Sequence, residues 1–423
     1  MPSSDWKVKG GLRFSGTKFA CPAAKATLAL GHSFGGKMAI DVIVVGGGII
    51  GCTHAYFLQS RGLNTVLVER GTIGSGTTAN NFSWINASTK TKNPAYHRLN
   101  ARGVQMYEEL AQEFGAETIG LKAFGALGLV RRSSPDFYQS MQDDAKALET
   151  LGYPVQWIET DELRQLEPNV AFADDAEAIL TPSDKCLNAT LFARFMAEKL
   201  ILTGGQVREN CAALALDVDD NGAVSGVATD HGTLQSRHVV IAVGPNTPEV
   251  LSDLTGYDGF AARFPVNKVP GLLVTTPPVR ENLIRHLNYT DTDGEFHFMP
   301  DFNGGLRLAS DDVDGAIIAD QSPAHLRQLA LGLLRRMQEF VLGFGGEALI
   351  DQCALNIGTR AYPADGYSIA GDMPGAQGLY VIATHSGVTL APALGSLMAE
   401  LVATGHVPDL LEPFGLDRLP GFG

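Results

Sequence analysis

From residue 41 onward, short apolar runs alternate with longer stretches whose apolar positions recur every three or four residues. Asp41–Val45 (DVIVV) is a β-branched run and predicts a buried strand. Cys52–Gln59 has helical spacing and closes at Arg61-Gly62, where glycine suits a helix C-terminus. Thr65–Val68 (TVLV) predicts a second buried strand, ending in Glu69-Arg70. Strand, glycine turn, helix and strand within about thirty residues make a β-turn-α-β unit.

Helices are predicted over Asn100–Phe114 and Pro135–Leu151, with a strand at Gly125–Arg131 between them. Asn188–Leu202 is strongly amphipathic and stops at Gly204-Gly205. Val207, Ala212–Val218 and Ala223–Thr229 predict short strands, the last two joined by an Asn221-Gly222 hairpin turn. Arg237–Val243 is another buried run, leading into Gly244-Pro245. The texture changes over 251–350: strand-like stretches at Val269–Thr275, Phe296–Met299 and Gly305–Ala309 are separated by Pro, Gly and Asp turns, and a helix follows at Ala324–Leu342. Strand Leu379–Ala383, the turn His385-Ser386-Gly387 and helix Leu390–Ala403 close the pattern.

A chain of 423 residues is long enough for two substantial lobes. Its composition, 45% hydrophobic and 18% charged, is that of a soluble globular protein. A net charge of −14 without clustered Lys or Arg lacks the basic footprint of a nucleic-acid binder. Cys21, Cys52, Cys186, Cys211 and Cys353 are scattered and form no CxxC pair. They suggest neither a disulfide framework nor a metal site, and point to a reducing, cytoplasmic setting. No apolar run reaches the roughly 18 residues of a membrane span, so no transmembrane segment is expected. Residues 1–37 hold Lys7, Lys9, Arg13, Lys18, Lys25 and Lys37 against the single acid Asp5. This segment reads as a disordered extension or a start assigned too early, Met38 lying just before the first strand; a transit peptide is the alternative.

The candidate chemistry begins at Gly46–Gly51 (GGGIIG), a GxGxxG turn between the first strand and helix. Alone the motif is weak, but its context is complete. Gly46 permits the tight turn, Gly48 lets a pyrophosphate approach the backbone, and Gly51 lets helix and strand pack closely. The helix N-terminus at Ile49 and Ile50 offers free N–H groups to phosphates. Glu69, 18 residues beyond Gly51, would accept the adenosine ribose hydroxyls and repel a 2′-phosphate, disfavouring NADP. NAD and FAD share this turn. The donor-rich loop Gly74–Asn81 and the C-terminal strand–turn–helix at 379–403 favour FAD, and no second GxGxxG exists for a tandem reductase.

From residue 38 to the end the chain resembles the D-amino-acid oxidase superfamily of FAD oxidoreductases, of which glycine oxidase and sarcosine oxidase are familiar members. The resemblance rests on Val44–Gly51, Glu69-Arg70-Gly71, Gly74–Asn80, Val240–Pro245 (VIAVGP), Gly358–Gly371 (GTRAYPADGYSIAG), Gly378–Gly395 (GLYVIATHSGVTLAPALG) and Leu410–Leu419. It implies an α/β fold in which a Rossmann-type FAD-binding lobe (38–100, 183–250 and 353–423) is interleaved with an α+β substrate lobe (101–182 and 251–352) containing a large antiparallel sheet. It adds Arg70, Thr77, Thr78, Val207, Gly244 and the turn Gly387, Val388, Thr389 and Leu390 to the cofactor contacts.

The resemblance also places Arg360 where a substrate carboxylate is held, a task that suits the two-pronged guanidinium. Ala361 stands where the family usually has proline. Members that bind flavin covalently carry a cysteine at the position of Gly358, so FAD is expected to be non-covalent. The helix start at Gly387–Leu390 would stabilise negative charge on the reduced flavin. His385 is a candidate for flavin or substrate contact, with capping or packing as its alternative. Arg307 aligns loosely with an oxygen-activating lysine of the sarcosine-oxidase branch; a solvent-facing strand residue is the plainer reading. His297 lies on a substrate-facing strand but reads as a core histidine, and Phe82 and Trp84 read as packing.

The function implied is oxidation of the C–N bond of a small amino acid or amine, by hydride transfer to flavin N5, with oxygen or another acceptor taking the electrons. Alternatives are a 2-hydroxy-acid dehydrogenase on the same fold and a flavin-binding subunit of a larger electron-transfer complex. An oligomer is compatible with either.

Overall fold

In the computed structural model, which describes residues 39–255, 264–290 and 295–422, the run Val42–Val45 is an inner strand of a six-stranded sheet. The expectation for residues 1–37 lies outside the described residues. Across the sheet the order is Ile369–Asp372, Leu379–Ala383, His238–Ile241, Val42–Val45, Thr65–Val68 and Gln206–Arg208. Every pairing is parallel except that between the first two strands.

Alternation within the central strand explains why all its residues are apolar. Val42 and Val44 join a core with Leu58, Leu67, Phe192 and Leu394, beneath helices Ile49–Ser60, Ala189–Leu202 and Gly387–Thr404. Ile43 and Val45 face the other way, into a core with Val239, Ile241 and Val381. A strand covered on both faces needs apolar side chains at every position.

The second large sheet has eight strands in the order Ala354–Pro363, Val266–Thr275, Leu306–Ser310, Phe296–Pro300, Leu287–Thr290, Ala126–Arg131, Ala176–Thr181 and Gln156–Ile158. It is antiparallel apart from the parallel pair Leu287–Thr290 and Ala126–Arg131. One face packs Leu272, Phe296, Phe298 and Leu308 against Leu333, Leu334 and Met337 of helix Pro323–Phe340. The residues between them, Gly271, His297 and Ala309, line a cavity on the opposite face. The two-residue period of the strands thus divides core from site.

Several elements differ from the sequence expectation. The second long helix starts at Pro94 rather than Asn100, because Asn93 accepts from the N–H groups of Ala95 and Tyr96 and proline suits the first helical position. The C-terminal helix starts at Gly387 and tolerates Pro392. Proline leaves the carbonyl four residues earlier without a donor, and the Tyr107 hydroxyl supplies one to Val388 O at 2.6 Å. Strands Ala176–Thr181, Leu287–Thr290 and Ala354–Pro363 are not apparent in the apolar pattern. Ala354–Pro363 pairs along its whole length with Val266–Thr275, so the chain enters the six-stranded sheet only at Ile369. Helix Gly387–Thr404 is the one described helix long and apolar enough to cross a membrane, and most of it is buried inside the protein.

Candidate functional site

The glycine turn is demanded partly by the protein and partly by something it would hold. Gly46 has φ +112°, and a Cβ there would lie 2.4 Å from Ala242 O. A Cβ on Gly51 would lie 1.9 Å from Gly46 O, so helix and turn touch as the sequence requires. Gly48 is different. It has ordinary extended backbone, and a Cβ there would meet only Thr78 Oγ1 at 3.4 Å. The first-turn N–H groups of the helix have no partner within the helix. Thr78 Oγ1 accepts from one of them, Ile49 N, at 3.0 Å. Glu69 ends the second strand with its carboxylate against the turn, accepting from Gly47 N at 2.6 Å and Gly71 N at 2.7 Å.

From this turn a cavity of about 980 Å³ runs past Arg70, Thr77, Thr78 and Gly244 to Gly387, Val388, Thr389, His385 and Arg360. The structure therefore brings together residues more than three hundred positions apart. Of the expected cofactor contacts, Gly46, Gly48, Ile49, Ile50 and Glu69 also line the cavity, while Gly51, Val207 and Leu390 do not. Gly51 packs on Gly46, Val207 pairs with Leu67 at the sheet edge, and Leu390 is buried in the core. The Thr77 hydroxyl donates to Thr359 O at 2.7 Å, which ties the loop to the strand carrying Arg360. A Cβ on Gly358 would meet Asn80 O at 1.8 Å, so glycine is needed where loop and strand cross.

At the far end Arg360 does not present a free guanidinium. Nη1 donates to Asp311 Oδ1 at 3.0 Å and Nη2 to Asp314 Oδ2. Burial pushes the Asp314 carboxyl up to about 6, against the pull of Arg360. His385 stacks on Tyr362 with ring centroids 4.7 Å apart, and its Nδ1 is buried without a hydrogen-bond partner. Burial, then the ammonium of Lys90, then Arg360 push His385 down to about 3, so it is neutral.

An aromatic group closes another wall. Trp84 lies 5.0 Å from Tyr289 and 6.0 Å from His297, and Phe82 lies 5.7 Å from His297, ring centre to ring centre. His297, expected as a core histidine, lines the cavity, and burial lowers it to about 4. Phe82 and Trp84 likewise pack and line the cavity together. Behind Trp84 sits Asp184, fully buried, accepting from Trp84 Nε1 at 3.0 Å, Ser88 Oγ at 2.6 Å and Tyr153 OH at 2.6 Å. Arg307 does not face solvent. It pairs with Asp301 at 2.6 Å and donates to Asn81 O and Ser83 Oγ, bracing the strand against the loop away from the cavity wall.

Sequence reasoning did not single out Lys90, Asp311, Asp314 or Tyr362. The acid run Asp311-Asp312-Val313-Asp314 at the end of a substrate-side strand is the signal that could have found two of them. Cys211, Asp230 and His231 place three possible ligand atoms within 4.8 Å of one another. Asp230 Oδ1 is already engaged by Ala212 N and His231 Nδ1, each at 2.9 Å.

The residues fit a flavin dinucleotide. Side chains are absent at Gly48 and Gly387, where each Cβ position lies clear of protein atoms by 3.4 Å or more. Two helix N-termini, at Ile49 and Gly387, reach the same cavity. A glycine turn on a mostly parallel sheet, sharing one elongated cavity with a second large sheet, is the arrangement of a dinucleotide-dependent enzyme. The chain belongs to the FAD dependent oxidoreductase family, whose pattern matches residues 41–401.

Among its relatives is a glycine oxidase of Geobacillus kaustophilus, 26% identical over 388 residues that cover 89% of this chain and 97% of the relative. A 4-methylaminobutanoate oxidase (formaldehyde-forming) of Paenarthrobacter nicotinovorans is 26% identical over 86% of this chain, but only 44% of that longer protein is matched. The crystal structure of glycine oxidase from Geobacillus kaustophilus superposes with a TM-score of 0.73 at 25% identity, covering 90% of this chain and 99% of that one.

Proposed function

We propose that this protein oxidises the C–N bond of a small amino acid or amine, with the nitrogen-bearing carbon at the end of the cavity walled by Arg360, His385 and the Trp84–Tyr289 group. The observation that carries the reading is the single cavity joining the glycine turn to that end. Relatives acting on glycine and on 4-methylaminobutanoate support the substrate class.

FAD, when bound, supplies a two-electron acceptor that takes a hydride from the substrate carbon and passes the electrons to oxygen or another acceptor. Gly46, Gly48, Ile49 and Ile50 would hold the phosphates through backbone N–H groups, and Glu69 the ribose. The start of helix Gly387–Thr404 would stabilise negative charge that develops on reduction. His385 stays neutral, so it is no imidazolium acid near neutrality. The amine is oxidised as the free base, losing its N–H proton to water as the C=N bond forms. Water then hydrolyses the imine to a carbonyl compound and the released amine or ammonia. The aromatic wall excludes bulk water from the reacting carbon.

Anaerobic titration of the yellow holoenzyme with a panel of amino acids, amines and 2-hydroxy acids tests this. Bleaching by amino acids or amines, reversed by oxygen or an artificial acceptor, is the expected result. Bleaching by hydroxy acids alone would sink it.

A further inference from the structure

The cavity is lined by four described basic side chains, Arg70, Lys90, Lys92 and Arg360. Arg70 belongs to the glycine-turn end, next to Glu69, and Lys92 is exposed to solvent. Arg360 is the cation that the family resemblance assigns to a substrate carboxylate, yet Asp311 and Asp314 occupy one nitrogen each. One arginine matched by two acids is no longer a net positive site.

Lys90 remains. Its side chain is half-buried and its Nζ hydrogen-bonds to no described residue. Burial lowers its pKa, while Asp184 and Asp311 are close enough to raise it in opposition. It is also the strongest charged influence on His385, which places it at the substrate end. Its loop is fixed rather than free. Lys90 N donates to Ala87 O at 3.1 Å, Ser88 is anchored on Asp184, and Asn86 N donates to Thr389 Oγ1 at 3.1 Å on the C-terminal helix. A half-buried ammonium without an acceptor is costly, and an anionic ligand group would relieve that cost.

We infer that Lys90, not Arg360, binds the substrate carboxylate, and that Arg360 with Asp311 and Asp314 forms an internally paired wall beside it that carries no net positive charge. The inference rests on the amino-acid reading above and makes Lys90 a specificity residue for carboxylate-bearing amines.

The test uses holoenzyme variants Lys90→Met, Lys90→Arg and Arg360→Lys, with two readouts at fixed ionic strength. The first is the shift of the resting flavin spectrum on titration with acetate, which needs no turnover. The second is anaerobic reduction by glycine and sarcosine against methylamine and dimethylamine, the same amines without a carboxylate. Lys90→Met is expected to raise the dissociation constant for acetate and the half-saturation for the amino acids about tenfold or more, and to leave the simple amines unaffected. Lys90→Arg should keep most of the affinity, and Arg360→Lys should change it little. Acetate binding that survives Lys90→Met, or that falls in Arg360→Lys alone, overturns the inference. So does a parent enzyme that ignores acetate and reduces with simple amines as readily as with amino acids, which leaves the amine-oxidation reading standing. If no amine bleaches the flavin, that reading fails, and the acetate titration still judges Lys90.

Discussion

Arg360 and Asp314 are ion-paired on the wall of the cavity, and Asp311 takes the other guanidinium nitrogen at 3.0 Å. Asp314 is the less exposed of the two acids, 14% against 44% for the side chain, and the one whose pKa burial raises. Arginine is retained, then, but its charge is cancelled from its own side of the sheet.

Removing one acid should return part of that charge to the cavity. Asp314→Asn keeps a hydrogen-bond acceptor for Arg360 and takes the cluster from a net negative to a neutral state. The dissociation constant for acetate, followed by the flavin spectrum at pH 7.5, is expected to fall several-fold, on the order of 1 kcal/mol for a partly buried pair. Protonation does the same in the parent. With its pKa raised to about 6, Asp314 is ionised above pH 6 and neutral below it, so acetate should bind more tightly as pH drops from 7.5 to 5. In Asp314→Asn that trend should flatten; an unchanged trend would assign it to another group.

His385 carries a second expectation. It is neutral above about pH 3 because burial, Lys90 and Arg360 all oppose its protonation. It cannot act as a titrating base or as a fixed cation near neutrality. His385→Gln should lower the rate through the lost stacking on Tyr362, yet leave the shape of the kcat/KM profile between pH 5 and 9 as it was. An ionisation near 6 to 7 that vanishes in the variant would show the histidine titrating after all.

The glycine turn and its partners were legible in the sequence because their constraints are local. A tight turn, a close helix and an acid at a fixed offset each leave a mark within thirty or so residues. An unbroken apolar run equally marked Val42–Val45, and a short strand-like stretch marked Phe296–Met299. The strand Ala354–Pro363 left none, because one of its faces carries Gly358 for the crossing loop and Arg360 and Tyr362 for the cavity rather than an apolar core. The state of Arg360 was illegible for another reason. Its two acids lie 46 and 49 residues away, and only the sheet register brings them alongside. Lys90 stood in a polar loop whose order comes from distant partners, Asp184 and Thr389.

Asp184 offers a test of the ground on which that loop stands. Burial raises its carboxyl to about 6, partly opposed by the donors Ser88, Tyr153 and Trp84. A folded pKa above the unfolded value of about 3.9 means the folded state holds the proton more tightly. The stability this adds is complete below about pH 4 and is lost as pH rises through 6. Asp184→Asn can still accept from Ser88 and Trp84 and bond Tyr153. It should therefore remove that fall in stability between pH 4 and 7, read by urea unfolding at each pH. A variant with the parent's pH dependence would move the titration elsewhere.

Two glycines of one turn should respond in opposite ways to the same added methyl. In Gly51→Ala the new Cβ would sit 1.9 Å from Gly46 O, a backbone atom that cannot move aside without opening the turn. Overpacking of this kind costs about 1–3 kcal/mol, so the apoprotein itself should be less stable to urea. In Gly48→Ala the backbone is already extended, at φ −74° and ψ 177°, and the nearest atom is Thr78 Oγ1 at 3.4 Å. The apoprotein should be unchanged or firmer by about 0.4–1 kcal/mol, since alanine restricts the unfolded chain more than glycine does. Flavin retention after gel filtration, however, should drop sharply, because the methyl occupies the approach of the phosphates to the helix start. A Gly48→Ala protein that keeps its full yellow colour would mean that the phosphates lie elsewhere along the cavity.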